Sequence, residues 1–153
     1  YKYHYNNGIS TSEKEREKMF IGLVEGTKIY FFNTRKHENT FTSYSKTLGE
    51  YRLLKDTIAP KIVIQKAVEG KWISQDKKLT FSVSDDLSGI KSYEGYLNGK
   101  WALVEFDRKT GQLVHYFSDG IADEGKNELK LTITDNVGNS AIFETHFFRS
   151  KEP

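Results

Sequence analysis

The chain has 153 residues, no cysteine, and 23 basic against 21 acidic side chains for a net charge of +2. That length suits one large domain, or a small domain with part of another, and it can bury a core without disulfides. The balance excludes thiolate chemistry and gives no basic field for nucleic acid; no apolar run approaches the roughly 18 residues that insertion into a membrane requires.

Ten Phe, nine Tyr and two Trp favour half-buried pleated surfaces, hence strands. The chain begins at Tyr1 instead of Met, and the expectation is a processed or truncated piece of a longer protein. Residues 12–18 read either as a short helix opened by Ser12 or as a solvated linker. A strand is expected over 19–24, a second over 28–33 and a third over 49–54, with a polar loop over 34–46. This β-rich segment, 1–56, reads as the end of another β-domain or as extra strands for the next one.

Asp56-Thr57-Ile58-Ala59-Pro60 reads as a boundary, because Pro60 fixes its own φ and keeps Ala59 out of the helical region. Beyond it, alternating apolar residues predict strands over 61–68, 78–84, 90–97, 100–106, 113–117, 128–134 and 141–148. Asn98-Gly99 is the strongest hairpin signal, and 107–111 is a second turn. The expected fold is all-β: an immunoglobulin-like β-sandwich of about seven strands over 57–153, preceded by the smaller β-rich segment.

One phrase occurs twice. Leu79, Phe81 and Val83 alternate into Asp85-Asp86-Leu87-Ser88-Gly89; Leu129, Leu131 and Ile133 alternate into Asp135-Asn136-Val137-Gly138-Asn139. These strands are placed as B and F of the sandwich, with packing in place of the disulfide that links them in antibody domains. Short acidic and amide side chains cap exposed backbone at strand ends, and glycines take positive φ. The sharper reading of Asp85, Asp86, Asp135, Asn136 and Asn139 is a calcium site built from hard oxygen donors. No EF-hand spacing is present, so turn chemistry is favoured and no cofactor is expected.

Catalytic patterns fail in turn. His4, His37, His115 and His146 form no His-x-His and no His-Glu-x-x-His. There is no Gly-x-Ser-x-Gly elbow and no phosphate-binding glycine loop. The aromatics Tyr93, Tyr96, Trp101 and Tyr116 are the remaining candidates, since exposed rings can stack on sugars.

From Leu48 onward several phrases recur in a recognisable order: Leu48-Gly49-Glu50-Tyr51, Asp56 to Pro60, Asp85-Asp86-Leu87-Ser88-Gly89, Leu97-Asn98-Gly99-Lys100-Trp101, and Asp135-Asn136-Val137-Gly138-Asn139. Together they resemble the C-terminal immunoglobulin-like region that follows the catalytic domain in some Bacteroidetes zinc peptidoglycan endopeptidases of the lysostaphin-like (M23) family. The resemblance covers about two-thirds of the chain. It implies a periplasmic, surface or secreted protein whose partners are other domains of the same polypeptide and, for a binding module, cell-wall glycan or peptide. The catalytic zinc pattern of that family, His-x-x-x-Asp with a later His-x-His, is absent; His115 and Asp119 match only its first half. The expectation is therefore a noncatalytic accessory module, with a glycan-binding module and an adhesion or scaffolding domain as alternatives.

Overall fold

A computed structural model describes residues 1–6 and 12–151. The chain divides into two compact units. The first comprises Tyr1–Ala59 together with the turns Asp85–Gly89 and Asp135–Asn139; the second comprises Pro60–Ser84, Ile90–Thr134 and Ser140–Pro153.

The first unit holds β1 (Lys2–Asn6), α1 (Glu13–Glu17), β2 (Met19–Glu25), β3 (Lys28–Phe32), β4 (Arg35–His37), β5 (Thr40–Tyr44) and β6 (Glu50–Lys55). Of the two readings of residues 12–18, the helix is the one formed. Ser12 accepts from the Glu15 N–H while the Glu15 carboxylate reaches back to the Ser12 N–H, a reciprocal capping box. The strands form two antiparallel three-stranded sheets, β1-β5-β4 and β3-β2-β6. Ile21, Leu23, Phe41 and Tyr51 make the small core. Tyr3 stacks on Tyr51 at 3.7 Å between ring centroids, and the Tyr51 hydroxyl donates to Ser45 Oγ and the Thr47 carbonyl at 2.7 and 2.8 Å.

The polar loop expected over 34–46 is instead β4 and β5. Phe41, Ser43 and Ser45 alternate inward and are all buried. Two of the three buried positions are serines, so hydrophobic alternation misses the strand. The Ser43 hydroxyl is satisfied by donating to the Asn33 carbonyl at 2.7 Å, which is what lets it sit inside.

The second unit holds β7 (Lys61–Ile64), β8 (Lys78–Ser84), β9 (Ile90–Leu97), β10 (Lys100–Ala102), β11 (Glu105–Asp107), β12 (Gln112–Tyr116), β13 (Gly125–Asp135) and β14 (Ser140–Arg149). They form two antiparallel four-stranded sheets, β11-β12-β8-β7 and β10-β9-β13-β14. The strand order is that of an immunoglobulin-like sandwich, with β8 in the B position and β13 in the F position. Phe81, Val83, Leu113, Leu97, Leu131, Ile133 and Phe147 share one core drawn from both sheets. Phe81, Val83, Leu131 and Ile133 fill the space between B and F by packing.

The single strand expected over 100–106 is two short ones. β10 pairs with β9, whereas β11 pairs with β12, so the chain passes from one sheet to the other at Leu103-Val104. Asn98 and Gly99 both take positive φ, 53° and 76°, as a two-residue primed turn demands. Among the described residues no helix is long and apolar enough to cross a membrane.

Phe81 is fully buried and meets Phe143 edge-to-face at 5.5 Å. Truncation leaves a large cavity, so Phe81→Ala should lower the unfolding free energy by about 3–5 kcal/mol in urea titrations. A loss below about 1 kcal/mol would show that this core collapses around the gap.

Candidate functional site

Two arrangements of side chains concentrate chemistry, one in each unit.

In the second unit, alternation along β9 buries Gly95 and Leu97 and leaves Glu94 and Tyr96 outside. Trp101 of β10 stands directly opposite Tyr96 in register, and cross-strand partners share a face. Trp101 is 62% exposed and Tyr96 37%. Beside Tyr96 runs a groove of about 680 Å³ lined by Glu69, Glu94, Glu128, Glu144, Lys130 and His146. It is predominantly acidic. The Thr145 hydroxyl, and then the His146 backbone N–H, donate to Glu69 and hold its carboxyl below the ordinary glutamate range. His146 Nδ1 lies 2.6 Å from Glu69 Oε1.

The other two candidate aromatics stand elsewhere. Tyr93 lies on the opposite face of β9 from Tyr96, with its ring 5.5 Å from Phe106. Tyr116 belongs to β12 of the other sheet, 6.0 Å below the Lys78 ammonium. Only Trp101 and Tyr96 of the four therefore share one surface. Trp72, 65% exposed and 5.3 Å from the Phe148 ring, is a further exposed aromatic, unremarked in the sequence because no strand pattern surrounds it.

His115 is fully buried, with Nδ1 3.0 Å from the Leu103 carbonyl and 3.8 Å from Asp119 Oδ2. His115 and Asp119 are thus neighbours in space. Among the described residues no third metal-ligating group joins them.

The first unit brings together Asp56, Asp85 and Asp135, each offering an oxygen within 4.8 Å of the others. Asp56 follows β6; Oδ1 accepts from the Ile58 N–H at 3.1 Å and Oδ2 from the Ser88 N–H at 2.9 Å. Asp85 follows β8, and its Oδ2 accepts from Leu87 and Gly89 at 3.3 and 2.8 Å. Gly89 adopts φ 85°, which closes that loop. Asp135 ends β13; Oδ1 accepts from Val137 and Asn139 N–H groups at 3.0 and 2.8 Å, and Oδ2 from the Asn139 amide at 2.7 Å. Asp56 and Asp135 are 1% and 0% exposed.

Of the other proposed calcium ligands, Asp86 faces solvent outside this cluster. Asn136 serves as a donor, its amide nitrogen bonding the Ser88 and Gly89 carbonyls at 2.8 and 3.2 Å. Asn139 likewise donates, to Asp135 and to the Asp56 carbonyl. Asp56 is the member that sequence reasoning missed as a ligand. The Asp-Thr-x-x-Pro phrase marked it as a boundary, and its carboxylate bonding Ile58 two residues on is the local signal that could have found it.

Asp85 Oδ1 is buried and has no hydrogen-bond partner. Burial raises the Asp85 carboxyl above the ordinary aspartate value; the Gly89 N–H opposes that shift, and the charges of Asp56 and then Asp135 reinforce it. The folded chain thus holds this proton more tightly than the unfolded chain. The stabilisation is present below the ordinary aspartate value and lost as pH rises through the raised one.

No family profile matches the chain, and no curated protein matches it. Among solved structures, it is similar to the fibronectin(III)-like modules of Clostridium thermocellum CbhA, at 12% sequence identity and a TM-score of 0.45. That likeness covers 86% of this chain and 77% of the other.

Asp85→Asn keeps an oxygen for the Leu87 and Gly89 N–H groups and removes the repelled charge. In chelator-treated protein it should melt higher than the parent at about pH 7, with the gap closing as pH falls towards about 4. A gap that stays constant across that range would assign the effect to something other than this carboxyl.

Proposed function

We infer that this chain is a noncatalytic interaction module of an exported bacterial envelope protein, with the outer face of the β10-β9-β13-β14 sheet as its binding surface. One observation carries the reading: Trp101 and Tyr96 are paired in register, exposed, and placed beside an acidic groove on a sheet whose other face is core. Stranded aromatics of this size cost solvation unless something covers them. Rigid rings with polar edges suit partners that are both apolar and hydroxylated.

The partner class that fits this pairing is cell-wall glycan. A sugar ring offers an axial C–H face for Trp101 and Tyr96, and its hydroxyls find acceptors in Glu94 and Glu128. The phrases shared with the accessory region of lysostaphin-like peptidases support a role beside a catalytic domain in one polypeptide, and with it a periplasmic or surface location. Adhesion or scaffolding by the same face is the rival reading within this class.

Because Trp101 projects from the sheet, Trp101→Ala should leave the melting transition within about 1 °C while retention on insoluble wall glycan falls at least about tenfold. Unchanged retention by a folded variant would remove the glycan and leave adhesion through protein contacts. The noncatalytic reading is tested on the same preparation. Dialysed protein should carry no stoichiometric zinc and release no soluble wall fragments; one zinc per chain held by His115 and Asp119 would overturn it.

A further inference from the structure

We propose that Asp56, Asp85 and Asp135, with the Ser88 hydroxyl, form a binding site for one divalent hard cation, calcium by preference. Three carboxylates meet here, and among the described residues none of them forms an ion pair with a Lys, Arg or His. The Lys18 ammonium donates to the Val137 carbonyl at 3.2 Å, in the turn that follows Asp135.

Hydrogen bonds from the turns satisfy most of these oxygens, which is the reason a cluster of acids alone would mean little. Two buried atoms lie outside that accounting. Asp85 Oδ1 and Ser88 Oγ are both shut off from solvent with no partner, and Ser88 is only 2% exposed. Ser88 is held against the cluster by its own N–H, which donates to Asp56 Oδ2, and by Asn136, which donates to its carbonyl. Its hydroxyl is three covalent bonds from that N–H. A buried carboxylate oxygen of Asp85, and a buried hydroxyl on the residue whose N–H bonds Asp56, both unbonded, are a donor set for a cation.

The size is right. Calcium takes oxygens at about 2.3–2.6 Å, so two ligands of one ion are never more than about 5 Å apart. The carboxylate oxygens here lie within 4.8 Å of one another. The donor set is all oxygen, without thiolate or imidazole, which disfavours zinc and copper. Three monodentate carboxylates, a hydroxyl and water make a loose shell, which suits calcium better than the strict octahedron of magnesium.

The ligands also come from three separate stretches of chain: the end of β6, the turn after β8 and the turn after β13. A cation shared by them ties together loops far apart in sequence, and ligand binding to the folded state alone raises its stability. This inference concerns the first unit and is independent of the glycan surface on the second.

The test titrates chelator-treated chain with calcium chloride, following heat by calorimetry and the melting temperature by circular dichroism. One saturable site per chain is expected, with a rise of several degrees in melting temperature at about 1 mM calcium. Asp85→Asn should abolish both responses. Ser88→Ala should weaken calcium binding at least about threefold, and it carries the test if Asp85→Asn does not fold. A chain that shows neither heat nor shift, or whose Asp85→Asn and Ser88→Ala variants respond as fully as the parent, overturns the site. An equal response to magnesium overturns the preference for calcium.

Discussion

The first unit rests on backbone amides being captured by buried carboxylates. Asp56, Asp85 and Asp135 sit at ends of strands, where the chain must leave the ladder and turn, and where N–H groups lose their partners. Each carboxylate takes up amides of its own turn: Ile58 for Asp56, Leu87 and Gly89 for Asp85, Val137 and Asn139 for Asp135. Asp56 then reaches Ser88, and Asn139 reaches Asp56, so three local caps become one network. Two of these carboxylates have almost no exposure. Charge-assisted bonds to backbone are strong enough to justify burying a carboxylate, but three carboxylates brought this close repel one another. The arrangement holds only because the amides, and on the reading above a cation, oppose that repulsion.

The second unit solves a different problem. Its two sheets bury aliphatic and aromatic side chains on their inner faces without any cross-link, and the outer face of one sheet keeps Trp101 and Tyr96 exposed. Alternation along β9 separates the two tasks residue by residue: Leu97 and Gly95 pack, while Tyr96 and Glu94 project. The β9–β10 hairpin then sets Trp101 beside Tyr96 through the register of its Asn98-Gly99 turn. An aromatic pair placed this way is held by strands that also form the core.

Much of this architecture was legible because sandwich strands obey a period of two. β8 and β9 begin and end where alternation places them, and the Asn-Gly turn is unambiguous. The reading failed where buried positions are polar. Ser43 within β5 and Ser45 just after it broke the apolar pattern, and the short β10 and β11 were read as one run although they belong to different sheets. Among the aromatics, composition found the set but not the face. Tyr93 and Tyr116 resemble Tyr96 in sequence, yet only register and sheet order reveal that they point elsewhere. Asp85 and Asp135 were visible as turn residues; Asp56 joins them across separations of 29 and 79 positions in the chain, and long-range pairing has no local signature.

Amide hydrogen exchange at five positions tests the carboxylate network most directly. The Ile58, Ser88, Gly89, Val137 and Asn139 amides should exchange far more slowly than the Lys109 amide, which bonds an exposed aspartate in an ordinary turn. Exchange of all five at the Lys109 rate would contradict the network and, with it, the account of the first unit.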